Sequence, residues 1–89
     1  MMGWFLYVLE CRDGSLYTGI TTDVERRFKE HMSGKGAKYT RSRLPLRLQA
    51  WWPAGDRSRA LRLEHRFKSL SKKEKTEAIK GDSLDFLLD

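Results

Sequence analysis

Residues 4–21 read WFLYVLECRDGSLYTGIT, which has the pattern of two β-strands joined by a tight turn. Its first part, Trp4–Glu10, is an apolar and aromatic-rich segment of the kind that forms a buried β-strand. The dipeptide Asp13-Gly14 supplies residues that tolerate a positive φ in a tight turn, and Leu16–Thr21 then predicts a returning strand. The sequence therefore predicts a β-hairpin at the N-terminus.

The first helix is predicted to begin at Thr22, because Thr22 and Glu25 have the spacing of a capping box. Three apolar residues recur on the face that should meet the core: Val24, Phe28 and Met32. The dipeptide Ser33-Gly34 predicts the end of this helix, and residues 34–40 are expected to form a loop.

A third strand and a second helix are predicted next. Residues 46–52 contain two leucines and two tryptophans, and Pro45 and Pro53-Ala54-Gly55 mark the two ends of this strand. The second helix should begin at Asp56 or Ser58. Four apolar residues lie on one side of it: Ala60, Leu63, Phe67 and Leu70.

A third, short helix is predicted from the capping-box pattern of Ser71 and Glu74 to about Lys80. The predicted order of elements is therefore ββαβαα. The expected fold class is α/β (α+β), with a small three-stranded antiparallel or mixed sheet flanked by helices.

The length of 89 residues suits a single domain. We expect residues 1–80 to form it and residues 81–89 to be a short acidic tail that contains Asp82, Asp85 and Asp89. No apolar run approaches the ~20 residues of a membrane-spanning helix. The single Cys11 offers no internal disulfide, and a reduced, cytoplasmic protein is the simplest expectation.

Positive charge is concentrated in two parts of the chain. Eighteen Lys and Arg residues against 12 Asp and Glu give a net charge of +6. Residues 26–47 hold eight basic residues and only one acidic residue, Glu30, and residues 57–80 hold nine basic and three acidic residues. A well-solvated basic surface would explain the net charge alone, but this segregation favours a surface that binds nucleic acid.

The sequence has no glycine-rich phosphate loop, no Cys/His cluster with the spacing of a metal site and no Ser-His-Asp set. The first candidate functional residues are Arg27 and His31. They lie one helical turn apart, beside the apolar stripe of the first helix, and we expect them at the rim of the core. The alternative is structural: an arginine that lies along an apolar surface beside a half-buried histidine.

Glu64 is a carboxylate with apolar neighbours on its own helix. Three of them lie within one turn of it: Ala60, Leu61 and Phe67. Burial of a carboxylate costs free energy unless a cation or a metal ion offsets it. Glu64 is therefore either a metal ligand or the partner of Lys68 in an ordinary surface ion pair.

Tyr7 and Tyr17 lie on the two strands of the hairpin, on either side of its turn, and are expected to come close across the ladder. Core packing is the alternative role for both. Gly19 has no side chain to pack, which suggests that another backbone or a ligand approaches the strand there.

These residues together resemble the GIY-YIG nuclease superfamily. Phe5-Leu6-Tyr7 and Tyr17-Thr18-Gly19 stand where that family has its two name-giving tripeptides. Arg27, His31 and Glu64 have the spacing of its helical arginine, its following His or Tyr, and its metal-binding glutamate. With residues 13–15 (DGS) and 34–41 (GKGAKYTR), the resemblance to small stand-alone bacterial members, and more distantly to junction resolvases, covers about three quarters of the chain.

The resemblance implies a phosphodiesterase that uses one divalent metal ion, Mg²⁺ or Mn²⁺. DNA is the expected substrate, with branched or damaged DNA in repair or recombination as one candidate, and the sequence leaves the choice among branched, flapped and nicked DNA and RNA open. Glu64 would hold the metal ion. Arg27 would neutralise charge on the phosphoryl oxygens, and Tyr7 or Tyr17 would orient or deprotonate the attacking water. His31 would assist that proton transfer or bind the phosphate. The basic loop residues should bind the DNA backbone: Lys35, Lys38, Arg41 and Arg43.

Ile20 departs from the family pattern, because some members place a lysine that helps to activate the nucleophile directly after the second tripeptide. Two other functions remain open: a non-catalytic nucleic-acid-binding module with the same fold, and a domain that docks a partner protein. The set of five candidate residues favours the nuclease, since a pure binder has no need of a carboxylate that faces a polyanion.

Overall fold

The computed structural model describes residues 3–81 and 83–88. It contains three strands, four α-helices and a short 3₁₀ helix: β1 (Trp4–Glu10), β2 (Leu16–Thr21), α1 (Val24–Met32), α2 (Lys38–Arg41), β3 (Arg47–Gly55), α3 (Arg57–Lys68), α4 (Lys72–Ile79) and the 3₁₀ helix Asp85–Leu87. The strands form one antiparallel sheet in the order β2-β1-β3. This architecture confirms the predicted fold class, and α2 is an addition within the segment that was expected to be a loop.

The N-terminal hairpin forms as predicted. Gly14 has the positive φ of 84° that the turn requires, and its N–H donates to the Cys11 carbonyl at 2.9 Å. In the ladder of β1 and β2, Tyr7 pairs with Gly19 and Leu9 pairs with Tyr17. The two tyrosines are therefore diagonal neighbours on one face of the sheet.

The two faces of β1 pack against different helices. Leu6 and Val8 belong to the larger core, which includes α3 residues such as Phe67. Tyr7 and Leu9 point to the other face, where partly buried residues of α1 pack against them. This alternation places Tyr7 beside the helix that carries Arg27 and His31.

The prediction for the start of α1 was wrong by one residue. Asp23, not Thr22, is the N-cap, and its carboxylate accepts a hydrogen bond from the Arg26 N–H at 3.0 Å. Aspartate caps helices at least as well as threonine, and Asp23 stands directly before Val24, the first residue of the helix. The Thr22–Glu25 capping box is therefore not used.

Met32 does not belong to the core-facing stripe of α1, because it is 39% exposed. Val24 and Phe28 do pack against the core, but the fully buried residue of this helix is His31. His31, a polar residue with hydrogen-bond partners, is thus buried at the end of α1, where the hydrophobic pattern predicted that Met32 would be buried.

Strand β3 runs to Gly55 and includes Pro53, which was expected to end it. A proline is tolerated here because β3 is an edge strand that pairs only with β1. The two later helices match the prediction: Asp56 caps α3, and Ser71 and Glu74 make both bonds of the capping box on α4.

The segment after residue 80 contributes to the larger core through Leu84 and Leu87, which are 5% and 8% exposed. Asp85 lies 3.5 Å from Arg59 of α3, whereas Asp82 and Asp89 of the expected tail lie outside the described residues. A domain boundary at residue 80 remains a proposal. None of the helices within residues 3–81 and 83–88 has the length and apolar character needed to cross a membrane.

Candidate active site

Tyr7 lies at the centre of the candidate site and is only 2% exposed. Gly19 pairs with it on β2, and a Cβ added at Gly19 would lie 2.5 Å from the Tyr7 hydroxyl oxygen. A close approach at Gly19 was expected from another backbone or a ligand, but the group that lies against this glycine is the side-chain ring of Tyr7. Any side chain at this position would displace the tyrosine.

His31 is completely buried, rather than at the rim of the core as expected. Its Nε2 lies 2.8 Å from the Tyr7 hydroxyl and its Nδ1 lies 2.8 Å from the Thr40 hydroxyl. Because both ring nitrogens have partners, burial of the imidazole leaves no polar group unsatisfied. Gly36 lies so close to the ring that a Cβ there would overlap it, which fixes the ring in place.

Tyr17 connects the buried pair to the surface. Its ring centroid is 6.5 Å from that of Tyr7 and 5.3 Å from that of His31, so the two tyrosines come close as expected. On its outer side Tyr17 stacks with Tyr39, which is 39% exposed. The Arg43 guanidinium in turn lies 3.7 Å from the Tyr39 ring centroid.

Arg27 is held beside Tyr7 by an ion pair with Glu30, with 3.0 Å between Nη1 and Oε1. Partial burial alone would lower the pKa of Arg27, but Glu30 and the Tyr7 hydroxyl raise the pKa overall. The guanidinium therefore stays charged, and 31% of the side chain remains exposed to meet an anion.

Tyr7 and His31 are both neutral near pH 7. Burial raises the pKa of Tyr7 to about 12, although the nearby Arg27 opposes the increase; the Glu64 charge adds to it. Burial also lowers the pKa of His31 to about 4, with Arg27 adding to the decrease and Glu30 opposing it. The phenol and the imidazole thus form a neutral hydrogen-bonded pair.

Glu64 lies on α3, and its negative charge makes a small contribution to the raised pKa of Tyr7. Its side chain is 20% exposed, and Oε2 lies 3.3 Å from the Lys68 Nζ. The ion pair that the sequence offered as an alternative is thus present. A pair with a half-exposed lysine contributes at most about 1 kcal/mol, so it does not prevent a metal ion from binding.

The fit of a metal ion depends on this single carboxylate. No group of three or more His, Cys, Asp or Glu side chains in the described part of the chain could hold a metal ion. A hard cation such as Mg²⁺ commonly binds one or two carboxylates and takes its other ligands from water and substrate phosphates. Glu64 fits such a site, in which the nucleic acid completes the coordination.

The four basic residues predicted to bind the nucleic-acid backbone differ in their environment. Lys35, Lys38 and Arg41 are exposed. Arg43 is half-buried, and its Nε donates to an Asp13 carboxylate oxygen at 3.2 Å. The segment is also less loop-like than expected, because Lys38 and Arg41 belong to the one-turn helix α2.

Sequence reasoning missed three residues that shape the site: Glu30, Gly36 and Thr40. Glu30 carried a signal, since it is the only acidic residue in the first basic block and stands three positions after Arg27. Gly36 and Thr40 belong to the stretch 34–41 that supported the family resemblance, but nothing in the sequence shows that this stretch covers the His31 ring.

The family model described as "GIY-YIG catalytic domain" matches residues 3–78. UPF0213 protein BH0048 of Halalkalibacterium halodurans is 55% identical over 82 residues, which cover 90% of this chain and 87% of that protein. UPF0213 protein YhbQ of Escherichia coli O139:H28 is 52% identical over 86 residues, covering 97% of this chain and 85% of YhbQ.

Two solved structures are similar. The NMR structure of BH0048 has a TM-score of 0.58 at 52% identity and covers 89% of this chain and 84% of that one. The NMR structure of protein EF2693 from E. faecalis has a TM-score of 0.61 at 41% identity and covers 100% of this chain and 90% of that one.

Proposed function

Because the chain belongs to the GIY-YIG nuclease family, we propose that it hydrolyses phosphodiester bonds in DNA with the help of one divalent metal ion. The observation that carries this proposal is the hydrogen bond between Tyr7 and His31, next to the charged groups of Arg27 and Glu64. A phenol, a base, a cation and a carboxylate at one site are the groups that phosphodiester hydrolysis needs.

Arg27 is proposed to bind the scissile phosphate. Its guanidinium is a permanent cation that presents a planar set of donors, and Glu30 orients it without removing it from solvent. Negative charge on the phosphoryl oxygens increases in the transition state, so a preoriented guanidinium stabilises that state more than the bound substrate.

Tyr7 and His31 are proposed to move the proton of the attacking water. Complete proton transfer from Tyr7 to His31 in the resting site would cost on the order of 10 kcal/mol, given pKa values of about 12 and about 4. The phenol therefore stays protonated until water attacks. As the water oxygen bonds to phosphorus, its proton passes to the Tyr7 oxygen and the Tyr7 proton passes to His31 Nε2. The P–O bond to the leaving oxygen breaks, and that oxygen takes up a proton from solvent.

Glu64 is proposed to hold the metal ion, Mg²⁺ or Mn²⁺. When bound, the ion would polarise the scissile phosphate and stabilise the leaving oxygen. Lys68 would remain beside Glu64 and keep the carboxylate oriented in the absence of the metal ion.

Ile20 does not interrupt this arrangement, although some relatives have a lysine there. It packs with the larger core on the face of the sheet opposite Tyr7. The Tyr7–His31 pair supplies an acceptor for the proton without a lysine at this position.

Metal-dependent cleavage assays test the proposed function. The substrates are branched, flapped, nicked and single-stranded DNA and matched RNA; branched or damaged DNA comes first because of the similarity to junction resolvases. Arg27→Ala should reduce cleavage by at least about 100-fold, because it removes a contact made in the transition state. Arg26→Ala is the matched control, since Arg26 is more exposed and lies 3.8 Å from the same Glu30.

We expect Arg26→Ala to retain cleavage within about threefold of the wild-type rate, because a surface ion pair contributes little. A wild-type protein that binds all these substrates but cleaves none of them, with Mg²⁺ or Mn²⁺, would instead identify a non-catalytic nucleic-acid-binding module.

A further inference from the structure

A chain of hydrogen bonds extends from Tyr7 through His31 to α2. The Tyr7 hydroxyl lies 2.8 Å from His31 Nε2, and His31 Nδ1 lies 2.8 Å from the Thr40 hydroxyl. Thr40 Oγ1 lies 3.0 Å from the Ala37 carbonyl oxygen, which can only accept. All three side chains are buried, with exposed fractions of 0% for His31 and Thr40 and 2% for Tyr7.

These hydrogen bonds can be donated in either direction along the series, but only one direction gives every proton an acceptor. If Thr40 donates to Ala37, His31 Nδ1–H donates to Thr40 and Tyr7 donates to the free lone pair on Nε2. In the reverse direction, Nε2–H donates to the Tyr7 oxygen and the buried Tyr7 proton has no acceptor among the described residues. A buried hydroxyl without an acceptor costs about 1–3 kcal/mol, which favours the first direction.

The surroundings of the ring keep it in this orientation. Gly36 packs against the imidazole so closely that no Cβ fits between them, and the Tyr17 ring lies against it from β2. Thr40 is held by α2, in which the Arg41 N–H also donates to the Ala37 carbonyl. The His31 ring therefore cannot easily rotate to exchange its two nitrogens.

We propose that Thr40 is a positioning residue that fixes His31 in the Nδ1–H tautomer, so that Nε2 is always free to accept the Tyr7 proton. The catalytic consequence rests on the proposed nuclease function, but the tautomer itself does not. Thr40 touches neither the substrate nor the reacting atoms, and it acts only through the state of His31.

The tautomer is measurable by NMR without any substrate. The ¹⁵N chemical shifts of the His31 ring, in uniformly labelled full-length protein at pH 7, distinguish Nδ1–H from Nε2–H, and the exposed His65 serves as an internal reference. We expect wild type and Thr40→Ser to show Nδ1–H. Thr40→Val removes the acceptor of Nδ1–H at nearly constant shape, so each tautomer then leaves one buried donor unpaired, and the Nε2–H form should become populated.

A cleavage assay on the same variants tests the consequence. Thr40→Val should reduce kcat by roughly 10- to 100-fold with KM nearly unchanged, because proton transfer suffers and phosphate binding does not. Thr40→Ser should restore kcat to within about threefold of wild type, because the hydroxyl is retained. If Thr40→Val merely disturbed the structure, its loss of kcat would not depend on the hydroxyl. Recovery of both kcat and the Nδ1–H tautomer in Thr40→Ser therefore identifies the hydroxyl as the cause.

Wild-type protein with His31 in the Nε2–H form would overturn the proposal, even if Thr40→Val does not fold. A Thr40→Val variant that keeps Nδ1–H would also overturn it. If the tautomers are as expected but wild type cleaves nothing, the role of Thr40 stands and the proposed nuclease function fails.

Discussion

At the scale of single residues, the two tyrosines of the hairpin have different environments, and the structure separates their proposed roles. The Tyr7 hydroxyl is buried against His31, whereas Tyr17 makes ring contacts and leads to the exposed Tyr39. Tyr7 is therefore the tyrosine that we assign to the attacking water. The choice between Tyr7 and Tyr17 was left open by the sequence.

Phenylalanine substitutions distinguish the two tyrosines. We expect Tyr7→Phe to lower the cleavage rate by about 100-fold or more, because the proton of the attacking water loses its acceptor. Tyr17→Phe should lower it by less than about tenfold, and neither variant should change DNA affinity strongly. Single-turnover cleavage with a parallel binding titration measures both effects, and the opposite ranking of the two variants would transfer the role to Tyr17.

His31 makes stability depend on pH in a defined window. Its pKa is lowered from 6.5 to about 4 in the folded protein, so the unfolded chain binds a proton more readily. The stability from the neutral imidazole is present above pH 6.5 and decreases as the pH falls towards 4, by at most about 1.4 kcal/mol per pH unit. Urea denaturation between pH 7 and 5 measures this slope.

The variant His31→Gln should flatten this slope, because the titrating group is gone. The matched control is His65→Gln, which replaces an exposed histidine and should keep the wild-type slope. An equal slope in wild type and His31→Gln would show that other groups cause the pH dependence.

Among the helices and strands, α1 differs from the prediction at its first turn, where Asp23 rather than Thr22 is the N-cap. Asp23→Ala should destabilise the protein by about 1 kcal/mol, because the Arg26 N–H loses its cap, while Thr22→Ala should have an effect below about 0.5 kcal/mol. Denaturant unfolding measures both free energies. A larger loss of unfolding free energy in Thr22→Ala than in Asp23→Ala would instead support the Thr22–Glu25 capping box that the sequence predicted.

The sequence predicted the elements whose signals are local. The Asp13-Gly14 turn, the Ser71 capping box and the apolar side of α3 depend on neighbours within one turn or one hairpin, and all three are confirmed. The continuation of β3 through Pro53 was missed because the cost of a proline depends on whether its strand lies at an edge.

In the candidate site too, the sequence predicted residues that belong to short motifs but not the contacts between distant parts of the chain. The family resemblance supplied Tyr7 and Glu64, but the burial of His31 depends on partners from β1 and α2 that lie 24 and nine positions away. A polar residue can occupy a core position only if such partners exist, and hydrophobic periodicity does not reveal them. The role proposed for Thr40 therefore depends on contacts that only the three-dimensional structure shows.

At the scale of the whole molecule, the exposed charges of residues 34–43 are proposed to hold the nucleic-acid backbone. The variant Lys35→Ala/Lys38→Ala/Arg41→Ala should weaken binding equally for all sequences. It should also reduce the slope of log affinity against log salt concentration by about 0.9 for each lost contact. Arg43 is left in place because it is anchored to Asp13. Salt titrations of binding to duplexes of different sequence measure both effects.

A matched control removes equal charge from α4 and the residue after it, with Lys73→Ala/Lys75→Ala/Lys80→Ala. We expect it to change affinity less than the first triple variant. Unchanged affinity in the first variant, with loss in the second, would place the binding surface on the helical basic block of residues 57–80 instead.

Glu64 is proposed to serve the chemistry together with Arg27, whereas the exposed basic side chains of residues 34–43 are proposed to bind the DNA backbone. The most direct test is Glu64→Gln, with cleavage measured in Mg²⁺ or Mn²⁺ and DNA affinity measured without divalent metal. We expect cleavage to be abolished while affinity stays equal or rises, because the substitution removes a negative charge that repels the DNA. Cleavage that persists in Glu64→Gln at a rate near that of wild type would show that the Glu64 carboxylate is not needed for the chemistry.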